Sequence, residues 1–447
     1  MKMNGLLAAA GLLVALGGAV WWSNKDEAAN VGKPAKDAPP RILELGLDQF
    51  TEMRFERKGL EPTVVKRGKD NHWEITAPKQ LAADQSVVGG VASALSVLNS
   101  EKLVEEKAAD LVSFGLSQPS AVISIVKKDG KIVKVLLGDQ TAIGEATYVK
   151  LDSDPRVFTM ASKSSIDKDW RELRDKRLLH LNTEKLSRLE LSSGKGLVEF
   201  GKSGNNAWTI LKPNTFRADN FAVEELVRKL NDAKMEEVPE DAAVAATLAK
   251  FAAGALIAKA SATGDAGKQE IEVRKDKEGT YFAKSSTVAG AYKVSSELGE
   301  ALAKGLDDYR NKKLFDFAFQ DPTRIELKGP EKAWLFEKSK NDWKSNGKAV
   351  QGEQVQAIAD KLRELSSIKF PKAGGGAAHS EITVSLEDGK VTEKIIITKA
   401  GDTYYAMRAG ESAVYEVDGK VVEDLLVGAA AVRDVAAKTD GKPDAKK

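Results

Sequence analysis

The sequence predicts an α+β fold: a single N-terminal transmembrane helix, then three tandem repeats of a unit that combines an antiparallel sheet with helices. Three observations carry this expectation. An uncharged apolar run lies near the N-terminus, tryptophans recur at a constant spacing, and alternating apolar and polar strand patterns flank short helical ones.

The apolar run is Gly5 to Trp22, 18 consecutive uncharged positions. As a helix it would span about 27 Å, close to the hydrocarbon thickness of a bilayer. Lys2 precedes it, and Trp21 and Trp22 stand at its far end, where an interfacial aromatic pair is favourable. The expected topology is single-pass in the inner (cytoplasmic) membrane, with the bulk of the chain extracytoplasmic (periplasmic). A cleaved signal peptide is the rival reading, because Gly17 and Ala19 form a small-x-small site; both readings export the remainder. Residues 25–40 hold one large apolar residue, Val31, among charges, alanines and three prolines, and read as an extended linker after an anchor at 1–24.

Beyond the linker, the pairs HWEITAP and AWTILKP align without gaps, and Trp73, Trp208 and Trp343 stand 135 residues apart. Eleven residues after the first two tryptophans come Ala83-Asp84 and Ala218-Asp219. Each aspartate opens a helical pattern and is a good N-cap for the unpaired amides of a first turn. The third helical pattern is Glu353 to Leu365. Upstream of each tryptophan lies a strand pattern, MRFER, SRLELSS and TRIELKG. Downstream come hairpins, the clearest turning at Asp129-Gly130. Two units end on LRDKRLL and YRNKKLF, read as charged helix ends, and the third on the weaker VRDV. The expected units are 41–180, 181–316 and 317–437, with a polar tail at 438–447.

Composition excludes several chemistries. Lys and Arg total 68 against 66 Asp and Glu, a net +2, so no basic footprint for nucleic acid is present. Cysteine is absent, which removes disulfides, thiol nucleophiles, Cys-bound zinc and a lipidated cysteine, and in an exported chain fits a bacterial envelope. Gly196, Gly201, Lys202 and Ser203 match the phosphate-loop pattern G-x-x-x-x-G-K-[ST]. That loop must run from a strand directly into a helix whose amides hold the phosphates. Here the intervening residues, Leu197 to Phe200, are strand-like, and the next helical pattern begins only near Asp219. No nucleotide is expected.

His72, His180 and His379 occupy different positions of their units, with no metal-ligand spacing. Glu190 and Glu326 stand beside Arg188 and Arg324, where charge pairing across strands explains them. Neither a catalytic constellation nor a cofactor is expected. Trp73, Trp208 and Trp343 are the candidate interaction or structural markers, read as core anchors ahead of sugar-stacking platforms. The Ala-rich stretch 241–267 is interrupted by Lys250 and Lys259 and is not a second span.

Trp73-x-Ile-x-x-Pro78, Ala83-Asp84, Asp110-Leu-x-x-Phe114-Gly115-Leu116-x-x-Pro119, Leu137-Gly138-Asp139, Tyr148-Val-Lys150 and Leu173-Arg174-Asp175-Lys176 resemble the bacterial domain of unknown function 4340 family. The resemblance covers 41–180 best; the second unit lacks the Phe-Gly-Leu-x-x-Pro segment and the third keeps less. It implies an envelope protein associated with ABC-type transporter components, with no assigned catalytic residues. The expected function is a membrane-anchored, extracytoplasmic, non-enzymatic scaffold or accessory subunit whose partners are ABC-type permease and ATPase components. The alternatives are a cell-wall or polysaccharide-binding protein and an envelope hydrolase with an unassigned carboxylate pair.

Overall fold

The computed structural model describes residues 40–435 apart from 205, 240, 318, 319 and 341. The chain divides into two compact units between Lys176 and Arg177.

In the first unit, nine strands form one antiparallel sheet in the order 81–82, 73–77, 63–67, 50–57, 121–127, 132–140, 147–151, 157–160, 102–105. Side chains alternate across it: Phe50, Met53 and Phe55 point to the core, while Glu52, Arg54 and Glu56 do not. Helix Gln85–Ser96 buries Val88, Val91, Ala92 and Leu95, an i, i+3, i+4, i+7 stripe. Its N-cap is Asp84, whose carboxylate accepts from the amides of Ser86 and Val87.

The second unit holds an eight-stranded and a nine-stranded sheet, both antiparallel, with the same run of hairpins on either side of a central pair. Helices Asn220–Asn231 and Ser296–Leu302 bury apolar faces in the core of the first of these, and Gly352–Glu364 and Gly419–Ala430 in that of the second. Asp219 caps its helix as Asp84 does, accepting from the Ala222 amide.

The class expectation is corrected. Among the described residues there are 28 strands against seven α-helices, and the fold is largely β rather than α+β. The segments read as charged helix ends are largely extended: the short helix Trp170–Leu173 stops at the first residue of LRDKRLL, and the rest of that segment is not helical. Asp84 N–H donates to Leu173 C=O and Asp219 N–H to Tyr309 C=O, both at 2.8 Å, and Gln351 N–H to Arg433 C=O at 2.9 Å. Isolated bridges then join Ala83 to Arg174, Ala218 to Arg310 and Val350 to Asp434. A few residues on, Arg177 bridges to Lys234 and Lys313 to Ser366, and strand Arg41–Glu44 pairs in the same way with Val97–Asn99. Ile42 and Leu43, Leu178 and Leu179, and Leu314 and Phe315 are all buried. Two adjacent apolar residues buried together fit an extended segment held on both sides.

The membrane expectation is corrected as well. Among the described residues no helix is long and apolar enough to cross a membrane. Residues 5–22, the linker to 39 and the tail at 438–447 lie outside the described residues.

Candidate functional site

The three tryptophans are buried, at 5%, 3% and 4% exposure for Trp73, Trp208 and Trp343. None offers a ring face to a sugar. Each sits under a cation from the neighbouring strand: Arg67 at 4.7 Å from Trp73, Lys202 at 5.2 Å from Trp208, Lys338 at 5.9 Å from Trp343. The first residue of the following helix fixes two of them by the backbone. Gln85 accepts from Trp73 N–H and donates to Trp73 C=O, both at 2.8 Å, and Asn220 accepts from Trp208 N–H at 2.7 Å. The prolines that close the first two motifs, Pro78 and Pro213, both follow cis peptide bonds.

The phosphate-loop lookalike is a β-strand, Gly196–Lys202, in register with Arg188–Ser193. Its lysine is engaged elsewhere: Lys202 covers Trp208 and pairs at 3.6 Å with Glu224, the carboxylate that accepts from Trp208 Nε1 at 2.6 Å. No helix N-terminus follows the motif, so the amide cradle for a phosphate is missing.

The family-like segment of the first unit is a packing device. Asp139 N–H donates to Phe114 C=O at 3.0 Å, and Phe114, Leu116 and Val157 form a small core. Gly115 has φ +65°, and a Cβ on Gly138 would stand 2.1 Å from Phe114 O. Only glycine fits either position without displacing the loop. Lys150, 8% exposed, donates to the carbonyls of Leu151, Asp152 and Asp154, closing the next turn.

The histidines do not converge. His72 pairs with Asp70 at 2.9 Å in an exposed turn, and the His180 backbone exchanges hydrogen bonds with the Gln269 side chain. His379 lies between Ser380, at 3.3 Å, and Glu423, at 3.2 Å. Ser-His-Glu is the residue set of a nucleophilic triad, but Ser380 is 7% exposed. Glu423 also accepts from Tyr404 at 2.5 Å, the main reason its carboxyl is held below the usual carboxylate range. The cluster ties helix Gly419–Ala430 to its sheet. Among the described residues no three His, Asp or Glu are placed to hold a metal ion.

The open faces of the sheets carry charge in ordered pairs. Arg188 pairs with Glu190 at 3.6 Å and with Glu199, which is 3% exposed; Arg324 pairs with Glu326 at 2.5 Å and Glu337 at 2.9 Å. On the eight-stranded sheet this face forms a hollow of about 440 Å³ lined by Glu190, Lys259, Lys268, Glu270, Glu272 and Lys284 among others. Lys259 holds Glu272 at 2.9 Å, and Lys268 holds Glu270 at 2.8 Å. Charge pairing of Glu190 and Glu326 with the neighbouring arginines was legible, but it runs along one strand rather than across strands, and the cross-strand partners of Arg188 and Arg324 are Glu199 and Glu337. The ladder across five strands was not legible, because it depends on register.

Comparison with curated proteins and with solved structures finds no match. A family model finds two segments, where three copies are counted from the sequence. It is described as Domain of unknown function (DUF4340) and matches residues 73–207 and 208–381, each segment starting on one of the buried tryptophans; the chain belongs to this family.

Proposed function

We propose that the protein is a non-enzymatic scaffold, an accessory subunit that holds other proteins in a complex. The ABC-type permease and ATPase components implied by the family resemblance are the first candidates. The observation that supports it most is the open face of the eight-stranded sheet. Alternating Lys and Glu side chains line it across several strands, and the carboxylates of Glu270 and Glu272 are already held in place by lysines. A broad, pre-ordered field of mixed charge favours one complementary protein surface and disfavours others, which gives specificity and orientation. The polysaccharide alternative loses its motive, because the aromatic rings it relied on are buried.

The test is affinity purification of the full-length chain beside a double charge reversal, Lys259→Glu with Lys284→Glu. Transport-complex subunits that copurify with the wild type and are lost from the variant support the reading. Equal recovery from both, or recovery of glycan alone, counts against it.

A further inference from the structure

A second concave feature lies within the Arg177–Lys447 unit, between its two sheets: a cleft of about 1130 Å³. Phe216 and Arg310 line one side, Phe370 and Lys372 the other, with Lys195 and Asp307 among the remaining walls. The Arg310 side chain is 7% exposed. Its guanidinium carbon lies 4.2 Å from the centroid of the Phe216 ring and 3.8 Å from that of Phe370. Aromatic faces hold a guanidinium by its flat sides and leave its N–H donors pointing outward in the plane.

Those donors are poorly used. Among the described residues, the ion pair of Arg310 is with Asp307 at 3.6 Å, beyond hydrogen-bond range, and Asp307 is itself 66% exposed. Burial pushes the guanidinium below its ordinary pKa, against the opposing influence of Asp307, Tyr415 and Glu411. The neighbouring carboxylate, Asp308, is occupied by Gly305 N–H at 2.8 Å and Lys195 at 3.5 Å. No Arg310 nitrogen is among the buried polar atoms left without a partner, so the donors it does not spend on protein open to the solvent of the cleft, where a ligand acceptor can reach them.

We propose that this cleft binds carboxylates, with Arg310 as the receptor and Lys372 as a second cation at the rim. A carboxylate is planar and presents two oxygens to the in-plane fork of a guanidinium. The volume leaves room for the rest of the ligand, whether an acidic segment of a protein or a small dicarboxylate. Carboxylate binding in this cleft is independent of the scaffold reading.

The full-length protein is titrated calorimetrically at low salt with three probes: acetyl-triglutamate amide, glutarate and inorganic phosphate. Binding of either carboxylate probe is expected, weakened about tenfold in Arg310→Lys, which keeps the charge and loses the fork. Lys372→Ala, at an exposed position outside the core, is expected to weaken it about threefold. Binding of the peptide alone identifies a protein segment as the source, and equal binding of glutarate identifies a small acid. No heat with either carboxylate at millimolar concentration overturns the proposal. So does phosphate binding as tightly as the carboxylates, or carboxylate affinity unchanged in both variants. Should Arg310→Lys fail to fold by circular dichroism, Lys372→Ala decides alone.

Discussion

Gly138→Ala tests whether the family-like segment of the first unit is a packing device. The new methyl would stand 2.1 Å from Phe114 O and about 3.1 Å from the Leu116 side chain. The first distance is more than an ångström inside van der Waals contact, and the atom it meets is backbone, so the loop from Asp110 to Pro119 has to move. That movement breaks the Asp139 N–H to Phe114 C=O bond and loosens Phe114 and Leu116, which are 9% and 3% exposed. Overpacking costs about 1–3 kcal/mol and a buried hydrogen bond about 1 kcal/mol, which together give about 2–4 kcal/mol. Urea unfolding of the full chain measures the loss, and hydrogen exchange mass spectrometry locates it at 110–120 and 135–140. Gly90→Ala is the control: it lies inside helix Gln85–Ser96 with nothing within 4 Å of the added methyl. There the change should stabilise by about 0.5–1 kcal/mol. A Gly138→Ala protein within about 0.5 kcal/mol of wild type, with unchanged exchange, would refute the reasoning.

The other expectations can be measured on the same protein. Trp208→Phe keeps most of the buried ring but removes the Nε1 donor to Glu224, and should cost about 1–2 kcal/mol in urea melts. Lys202→Ala should cost about 1 kcal/mol through its lost contact with Trp208, while ATP produces no binding heat with either protein; ATP binding that this substitution abolishes would restore the phosphate-loop reading. Asp308 is held below its ordinary pKa of 3.8, chiefly by the Gly305 N–H, with Lys195 assisting against the opposing effect of burial. Because the folded-state value is depressed, the contribution of Asp308 is fully present above its ordinary pKa and is lost as pH falls through the depressed one. Asp308→Asn should therefore flatten the acid limb of stability below about pH 4 and leave the fall unchanged only if that carboxylate is not engaged.

Some of this architecture is legible in the sequence alone. The 135-residue spacing of Trp73, Trp208 and Trp343 marks buried anchors, because a large aromatic that recurs in step with its flanking strands is repeated by the fold. Asp84 and Asp219 announced their helices through N-cap chemistry, and Asp129-Gly130 announced a hairpin in which Gly130 takes φ +77°. The connecting segments were misread, since Leu173 to Leu179 shows no clean period. Its backbone pairs through single bridges at Arg174 and Arg177, and each residue's burial is set by the element it meets. A signal was nonetheless present: Arg41-Ile42-Leu43, Arg177-Leu178-Leu179 and Lys313-Leu314-Phe315 recur at 136 residues. The class was overweighted toward helix because charged, apolar-flanked runs such as YRNKKLF satisfy helix propensity locally, while tertiary pairing decides them. Arg310 belongs to the recurring YRNKKLF segment, but its place between two aromatic rings had no signature. Its two aromatic neighbours, Phe216 and Phe370, lie far from each other in sequence and meet only through the packing of two sheets.

The central claim is that the open face of the eight-stranded sheet is where a partner protein sits. Lysine-directed crosslinking of the full-length chain in cells, with the crosslinked peptides identified by mass spectrometry, tests it most directly. The account expects crosslinks from Lys259, Lys268 and Lys284 to one recurring protein assembly, with transporter permease and ATPase subunits foremost. Crosslinks from those lysines that reach only this chain's own residues, while other surfaces capture the partner, would contradict it.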